Sequence, residues 1–281
     1  MNLINTLIAG VSIGAVYSLI AFALILVWRS TRVVNFAQAG QAAFSTYIGL
    51  SIEKALDNFW LALIAAIIAG IVVGAFVEVD IVRFIVKRAT SAATVTVAPV
   101  IAMLGLLGIF QGVMGLIRGG DYQAYPTAFS RDGLTVNGTQ IPFSQNDLFV
   151  LLTVVAAMLI AALIFQKTSL GLAMRAAAFA PEVTRLSGIR VSRIRTLGWA
   201  FAGGAGGLAG VLVAPTTFIA PNSFDLLLVF GFTAAVIGGL DSLIGGVLGG
   251  LALGIGLSVV TGYLGGSYTF MTAFVLLIVV L

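Results

Sequence analysis

The chain has 281 residues, 60% hydrophobic and 9% charged, with 14 Lys and Arg against 10 Asp and Glu, a net charge of +4, and neither Cys nor His. Soluble domains carry roughly 25% charged residues, so this chain has too few charges to coat a water-facing surface. A disordered chain and a nucleic-acid binder are excluded by the same balance, and the absent Cys and His remove disulfides, thiolates and the commonest general base and metal ligand.

What remains is a polytopic membrane protein, read in chain order against the roughly 20 apolar residues that a span requires. Residues 5–28 form a first span. It has no basic n-region and too long an apolar run for a cleaved signal. Residues 33–52 are amphipathic: Asn35, Gln38, Gln41, Ser45, Thr46 and Tyr47 recur at spacings of three and four. One face is therefore polar, which suits a helix lining a translocation path or one hydrogen-bonding to its neighbours. The segment either spans or re-enters. Tyr17 and Ser18 repeat the pattern more weakly in the first span.

Residues 59–80 and 95–117 read as further spans. Glu78 and Asp80 sit near the end of the former, with Asp80 placed to pair with Arg83 three residues on. A loop of about 118–147 follows, with an Asn137-Gly138 pair inside LTVNGTQI that signals a two-residue hairpin. Residues 148–166 span again.

The next loop, 167–195, carries Lys167, Arg175, Arg185, Arg190, Arg193 and Arg195 against Glu182 alone. Leu170 to Phe179 is built of good helix formers. Pro181-Glu182 suits the first turn of a second short helix, and Gly188 suits its C-terminal cap. Topogenic charge and contact with anionic membrane lipid account for part of the basicity. They do not account for a capped short helix, which has the form of a handle for another subunit.

The remaining spans are 196–214, 224–240 and 243–262, with a short apolar segment at 268–281. Gly203 and Gly207 form one stripe of small residues and Gly246, Gly250 and Gly254 another, which lets helix backbones approach closely in lipid. The chain stops without a polar tail, which predicts a further C-terminal segment.

The fold is an all-α transmembrane bundle of about eight or nine spans in a single membrane domain, residues 1–281, and counting both weaker segments gives nine. Arg29, Arg32, Arg83, Lys87, Arg88 and the six bases of 167–195 then fall on one side, and Lys54, Arg118 and Arg131 on the other. The positive-inside rule makes the first side cytoplasmic, so the N-terminus lies outside and the C-terminus inside. The spans hold no charge relay at mid-depth, which weighs against a proton-driven carrier. Lys54, Lys87 and Lys167 are the only lysines and none follows a Gly, so the chain has no phosphate-binding P-loop. No residues support an enzyme or a metal site.

GAVYSLIAFALILVWRSTRVVNFAQAG (14–40) resembles the opening of bacterial branched-chain amino acid ABC transporter permeases of the LivH type. Val34, Asn35, Phe36 and Ala37 fit that family's Val-x-Asn-Phe-Ala-His-Gly turn, while Gln38 and Ala39 replace His-Gly. LGLAMRAAAFAPEVTRLSGIRVSRI (170–194) resembles its cytoplasmic coupling loop: Gly171, Arg175, Ala176, Leu186, Gly188 and Ile189 match, and Ala180 stands where the family has Asp. PNSFDLLLVFGFTAAVIGGLDSLIGGVLGG (221–250) resembles its late Gly-rich block.

The resemblance implies a permease subunit of a binding-protein-dependent importer in the bacterial inner membrane, for branched-chain or related hydrophobic amino acids. It implies a second, related permease, two cytoplasmic ATPases that bind the ATP and magnesium, and an external binding protein. No cofactor is expected in this chain itself. Gly171, Arg175, Ala176, Glu182, Leu186 and Gly188 are then the expected ATPase-coupling residues. Asn35, Gln38, Gln41 and Ser45 are the expected lining of the path. The competing reading is a self-sufficient channel or ion-coupled carrier, in which the basic loop only sets topology.

Overall fold

The computed structural model describes residues 3–88, 92–136 and 139–280. The elements are α1 (Leu3–Thr31), α2 (Gln38–Leu56) and α3 (Phe59–Phe76), which continues through a π turn (Val77–Val82) into α4 (Arg83–Arg88). Then come α5 (Ala92–Arg118), strands β1 (Gly133–Val136) and β2 (Thr139–Ser144), and α6 (Gln145–Lys167). Two short helices, α7 (Ser169–Phe179) and α8 (Pro181–Leu186), lead to α9 (Val191–Thr217), α10 (Asp225–Gly238), α11 (Leu243–Tyr263) and α12 (Tyr268–Val280). The expected all-α bundle is what forms.

Among the described residues, six helical stretches are long and apolar enough to cross a membrane: α1, Phe59–Arg88, Val97–Arg118, α6, α9 and α11. The third expected span runs past residue 80, so Arg83, Lys87 and Arg88 end the helix rather than follow it. α2 has 19 residues, about 28 Å at 1.5 Å per residue, close to the bilayer core thickness. It is one unbroken helix. Near its start Arg32 bonds Asp241, and at its far end Lys54 bonds Gln123, so α2 runs between the two ends of the bundle rather than re-entering. α10 has 14 residues and α12 has 13. α10 also runs between the ends, and α12 turns back along α10 and α11, with Phe270 stacked on Phe230 at 5.8 Å.

α1 is the central post. Within its most apolar window 83% of the residues are buried, against 17% for α6. The small residues explain how. A Cβ on Gly14 would sit 3.0 Å from the Gly250 carbonyl, and one on Gly10 would sit 2.7 Å from the Ile255 Cα. Gly246, Gly250 and Gly254 therefore do lie in one stripe, facing Ile25, Ser18 and Gly14 of α1. Ser18 donates to the Val247 carbonyl at 2.8 Å across this seam. Gly203 and Gly207 pack on Gly70 and Ala66 of α3 in the same way. Lipid tails are as apolar as the helices, so close packing and interhelical hydrogen bonds are what hold such seams together.

The loop between α5 and α6 is pinned to one end. Gln123 pairs with Ile219, Arg131 Nη1 donates to the Pro215 carbonyl at 2.8 Å, and Arg118 bonds Ser51. Val136 pairs with Thr139 in the antiparallel hairpin. The Asn137-Gly138 turn assigned from sequence lies outside the described residues. Trp60 stands half exposed beside Phe59, Phe129 and Phe149 at this end, as an interfacial aromatic would.

Candidate functional site

The opposite end is basic, and there the chain builds its most specific local structure. α6 ends at Lys167. Thr168 caps α7 by accepting from the Gly171 N–H at 3.3 Å and donates back to the Ile164 carbonyl at 2.6 Å. Gly171 is buried, and a Cβ there would lie 2.5 Å from the Phe165 carbonyl carbon. Only glycine lets α7 fold this tightly across the end of α6. Arg175 then reaches back, its Nη1 donating to the Phe165 carbonyl at 2.8 Å. A cation thus covers an orphan carbonyl in the last turn of α6, where the helix dipole is negative.

α8 is six residues long and ended by a Schellman motif. The Gly188 N–H donates to Arg185 at 3.0 Å, the Ile189 N–H donates to Thr184 at 3.2 Å, and Gly188 has φ +82°. Pro181 occupies the first helical position, where its missing N–H costs nothing. Ala180, at the N-cap, has no side chain to cap with, so α8 begins on backbone bonds alone. Glu182 pairs with Arg185 at 3.2 Å, both exposed. Ala176 is half-buried and its carbonyl receives the Ala180 N–H. Leu186 is 88% exposed, and so are Phe179 at 86% and Val183 at 62%. Val183 and Leu186 stand three apart on α8, and Phe179 ends α7 just before the non-helical Ala180. Three exposed apolar side chains at this junction, a short ridge that joins none of the buried clusters among the described residues, therefore stand on a basic loop. Of these three, Leu186 alone was among the residues expected from sequence, and only the i−3 spacing of Val183 on the same short helix pointed to a neighbour.

α9 leaves this loop and is fastened at once. Glu78 is 2% exposed and accepts from Arg83 Nη2 at 2.6 Å and from Thr196 Oγ1 of α9 at 2.7 Å. The expected Asp80–Arg83 pair does not form. The π turn adds a residue per turn, which brings Glu78 and Arg83, five apart, onto one face, while Asp80 stays exposed. The described residues hold no group of three or more Asp or Glu suited to a metal.

The polar face of α2 points inward. Asn35, Gln38, Gln41 and Ser45 are at most 1% exposed. Asn35 Nδ2 donates to Gln38 Oε1 at 2.8 Å, and Gln38 Nε2 donates to the Ala202 carbonyl of α9 at 3.0 Å. Ser45 donates to the Gln41 carbonyl of its own helix at 2.7 Å. Gly206 and Gly210 of α9 make room for Gln38 and Thr46. Asn35 Oδ1 and Gln41 Nε2 are buried without a hydrogen-bond partner. The cluster thus acts as an interhelical bond and still holds two unspent polar atoms.

A cleft of about 640 Å³ opens between α1, α6 and α11, and none of these four polar residues lines it.

The comparisons agree with this architecture. The family model for the permease component of branched-chain amino acid transport systems matches residues 6–281. A probable branched-chain amino acid transport permease protein LivH of Methanocaldococcus jannaschii is 29% identical over 255 residues, covering 89% of this chain and 78% of that protein. The high-affinity branched-chain amino acid transport system permease protein LivH of Escherichia coli K12 is 27% identical over 280 residues, covering 97% and 90%. The corresponding BraD permease of Pseudomonas aeruginosa is 29% identical over 288 aligned residues, covering 99% and 92%. Among solved structures, PsaBC from Streptococcus pneumoniae in complex with Fab superposes with a TM-score of 0.53 at 16% identity, covering 100% of this chain and 91% of that one, a likeness of fold. A bundle centred on one buried helix, a folded basic loop between α6 and α9, and a family match along nearly the whole length lead to one conclusion: the chain belongs to the permease components of branched-chain amino acid transport systems.

Proposed function

We propose that the chain works as one of two permease subunits in an ATP-driven importer for branched-chain or related hydrophobic amino acids. Its relatives carry that substrate class in their names. The basic end faces the cytoplasm by the positive-inside rule, which puts the N-terminus outside and the C-terminus inside. Two ATPases dock there, one on each permease, and an external binding protein delivers the substrate to the opposite end.

The observation that carries this reading is the α7–α8 element. It is ordered and capped, it exposes Phe179, Val183 and Leu186, and its sequence has no phosphate-binding P-loop. An ordered apolar ridge standing in water marks a protein contact. Closure of the ATPases would push on α8, and Gly171 and Arg175 would pass the push to the end of α6. Glu78 and Thr196 would carry it from α9 to α3. A self-sufficient channel would have no use for the ridge. The deciding test is whether Leu186→Asp abolishes ATPase docking while the subunit still inserts and folds.

The substrate path runs at the interface of the two permeases. We place Asn35, Gln38, Gln41 and Ser45 beside it, since Asn35 Oδ1 and Gln41 Nε2 are free to bond a passing polar group when the helices part. Uptake by a Gln41→Leu variant tests that placement.

A further inference from the structure

The cleft between α1, α6 and α11 is built differently from a site for a free amino acid. Ala15, Phe22 and Leu26 of α1 form its floor, Val154 and Met158 line the α6 side, and Val247 lines the α11 side. Its outer lips are apolar and open: Leu159 is 60% exposed and Ile244 64%. A zwitterion gains nothing from such a trough.

Polar character is gathered at one end, the basic one, where Arg29, Arg175 and Arg195 reach the cleft. Asp241 is also on this rim, but its carboxylate is held by Arg32 at 2.6 Å. Arg29 lies within Coulombic reach of Arg175, Arg32 and Asp241. Arg175 uses Nη1 on the Phe165 carbonyl. Arg195 Nε is buried with no hydrogen-bond partner. Each guanidinium has five donors, so the rim offers several unspent donors and an excess of positive charge. A trough that is apolar along its length, open sideways and basic at its interfacial end matches an amphiphile with an anionic head. Basic pockets between transmembrane helices on the cytoplasmic side take anionic lipid headgroups by this chemistry.

We infer that the cleft is a binding site for one anionic phospholipid of the leaflet bordering the basic end, its phosphate among Arg29, Arg175 and Arg195 and an acyl chain along α1 between α6 and α11. The inference rests on the membrane reading of the bundle and is independent of which subunits dock on α8. A bound lipid would brace α1, α6 and the start of α9 where the coupling loop joins them.

The test uses the chain purified with its partners in mild detergent. It is equilibrated with equal amounts of dioleoylphosphatidylglycerol and dioleoylphosphatidylcholine, and native mass spectrometry counts the retained lipid. Each basic side chain near a headgroup raises anionic-lipid affinity roughly fivefold. Phosphatidylglycerol should therefore exceed phosphatidylcholine by up to about a hundredfold, and R29Q/R195Q, which leaves Arg175 in place, should bring the ratio down to about fivefold. Leu159→Trp, on an exposed lip where folding is insensitive, should narrow the trough and lower retention of both lipids. Equal retention by the wild type overturns the inference, as does a phosphatidylglycerol preference that R29Q/R195Q leaves undiminished. A photo-crosslinker at position 159 that captures a second permease chain instead of lipid also overturns it. If R29Q/R195Q fails to fold, the wild-type ratio and the Leu159→Trp variant decide.

Discussion

The Glu78 carboxylate accepts a hydrogen bond from Thr196 Oγ1 at 2.7 Å, which ties the π turn after α3 to the first turns of α9. With Arg83 at 2.6 Å on the same oxygen, this closes the buried charge at the basic end. Glu78→Ala should destabilise the subunit by roughly 2–4 kcal/mol, short of the full penalty for a broken buried pair because the Arg83 side chain is 30% exposed and can regain water. Thr196→Val should cost about 1 kcal/mol, and Asp80→Asn should stay within about 0.5 kcal/mol. Thermal unfolding in detergent ranks the three, and a larger loss for Asp80→Asn than for Glu78→Ala would contradict the assignment.

The glycines divide into two classes that the same assay separates. A Cβ on Gly250 would stand 2.5 Å from the Ser18 Cα, with α1 backbone in the way, whereas one on Gly112 meets nothing within 4 Å. Gly250→Ala should lose about 1–3 kcal/mol through overpacking of the α1–α11 seam. Gly112→Ala should be neutral within this chain or gain up to about 1 kcal/mol of helix propensity. Equal effects would mean that the seam is not as tight as described.

Gly188 sits at φ +82° in the motif that ends α8. A β-branched residue there is strained by about 1–2 kcal/mol, while asparagine tolerates the conformation. Gly188→Val should leave membrane insertion intact, yet uncouple ATP hydrolysis from uptake in reconstituted vesicles. Gly188→Asn should restore most of the coupling. Normal uptake by Gly188→Val would remove α8 from the coupling element.

Gln41 offers a way to separate packing from transport. Its Nε2 has no partner and its Oε1 accepts only at 3.4 Å from Asn35 Nδ2, which Gln38 also holds at 2.8 Å, so Gln41→Leu should leave stability within about 1 kcal/mol or raise it. If the atom serves the path, uptake falls severalfold at unchanged stability. Unchanged uptake would leave the cluster with packing alone.

The parts of this molecule that were legible in its sequence are those specified locally. Pro181 and Gly188 mark the two ends of α8 by their own backbone preferences, and the structure starts and stops that helix where they stand. The stripes Gly246–Gly250–Gly254 and Gly203–Gly207 were visible as spacing, but nothing local said that α1 and α3 are what they touch. The Glu78–Arg83 pair was hidden because it depends on a π turn, and α-helical spacing pointed to Asp80 instead. The polar face of α2 was plain, while its burial against α9 depends on Gly206 and Gly210 more than 160 residues away. The cleft joins residues of α1, α6, α9 and α11, and no spacing rule connects them.

On the proposed function, this subunit is driven from outside itself, through Phe179, Val183 and Leu186. The direct measurement is purification of the tagged chain in mild detergent, with mass spectrometry of what accompanies it, for the wild type and for Leu186→Asp. Two ATPase subunits and a second, related permease should accompany the wild type. Leu186→Asp should lose the ATPase at unchanged stability, since that side chain is 88% exposed. A stable homo-oligomer without any ATPase would contradict the proposed function and make a self-sufficient channel or carrier the better description.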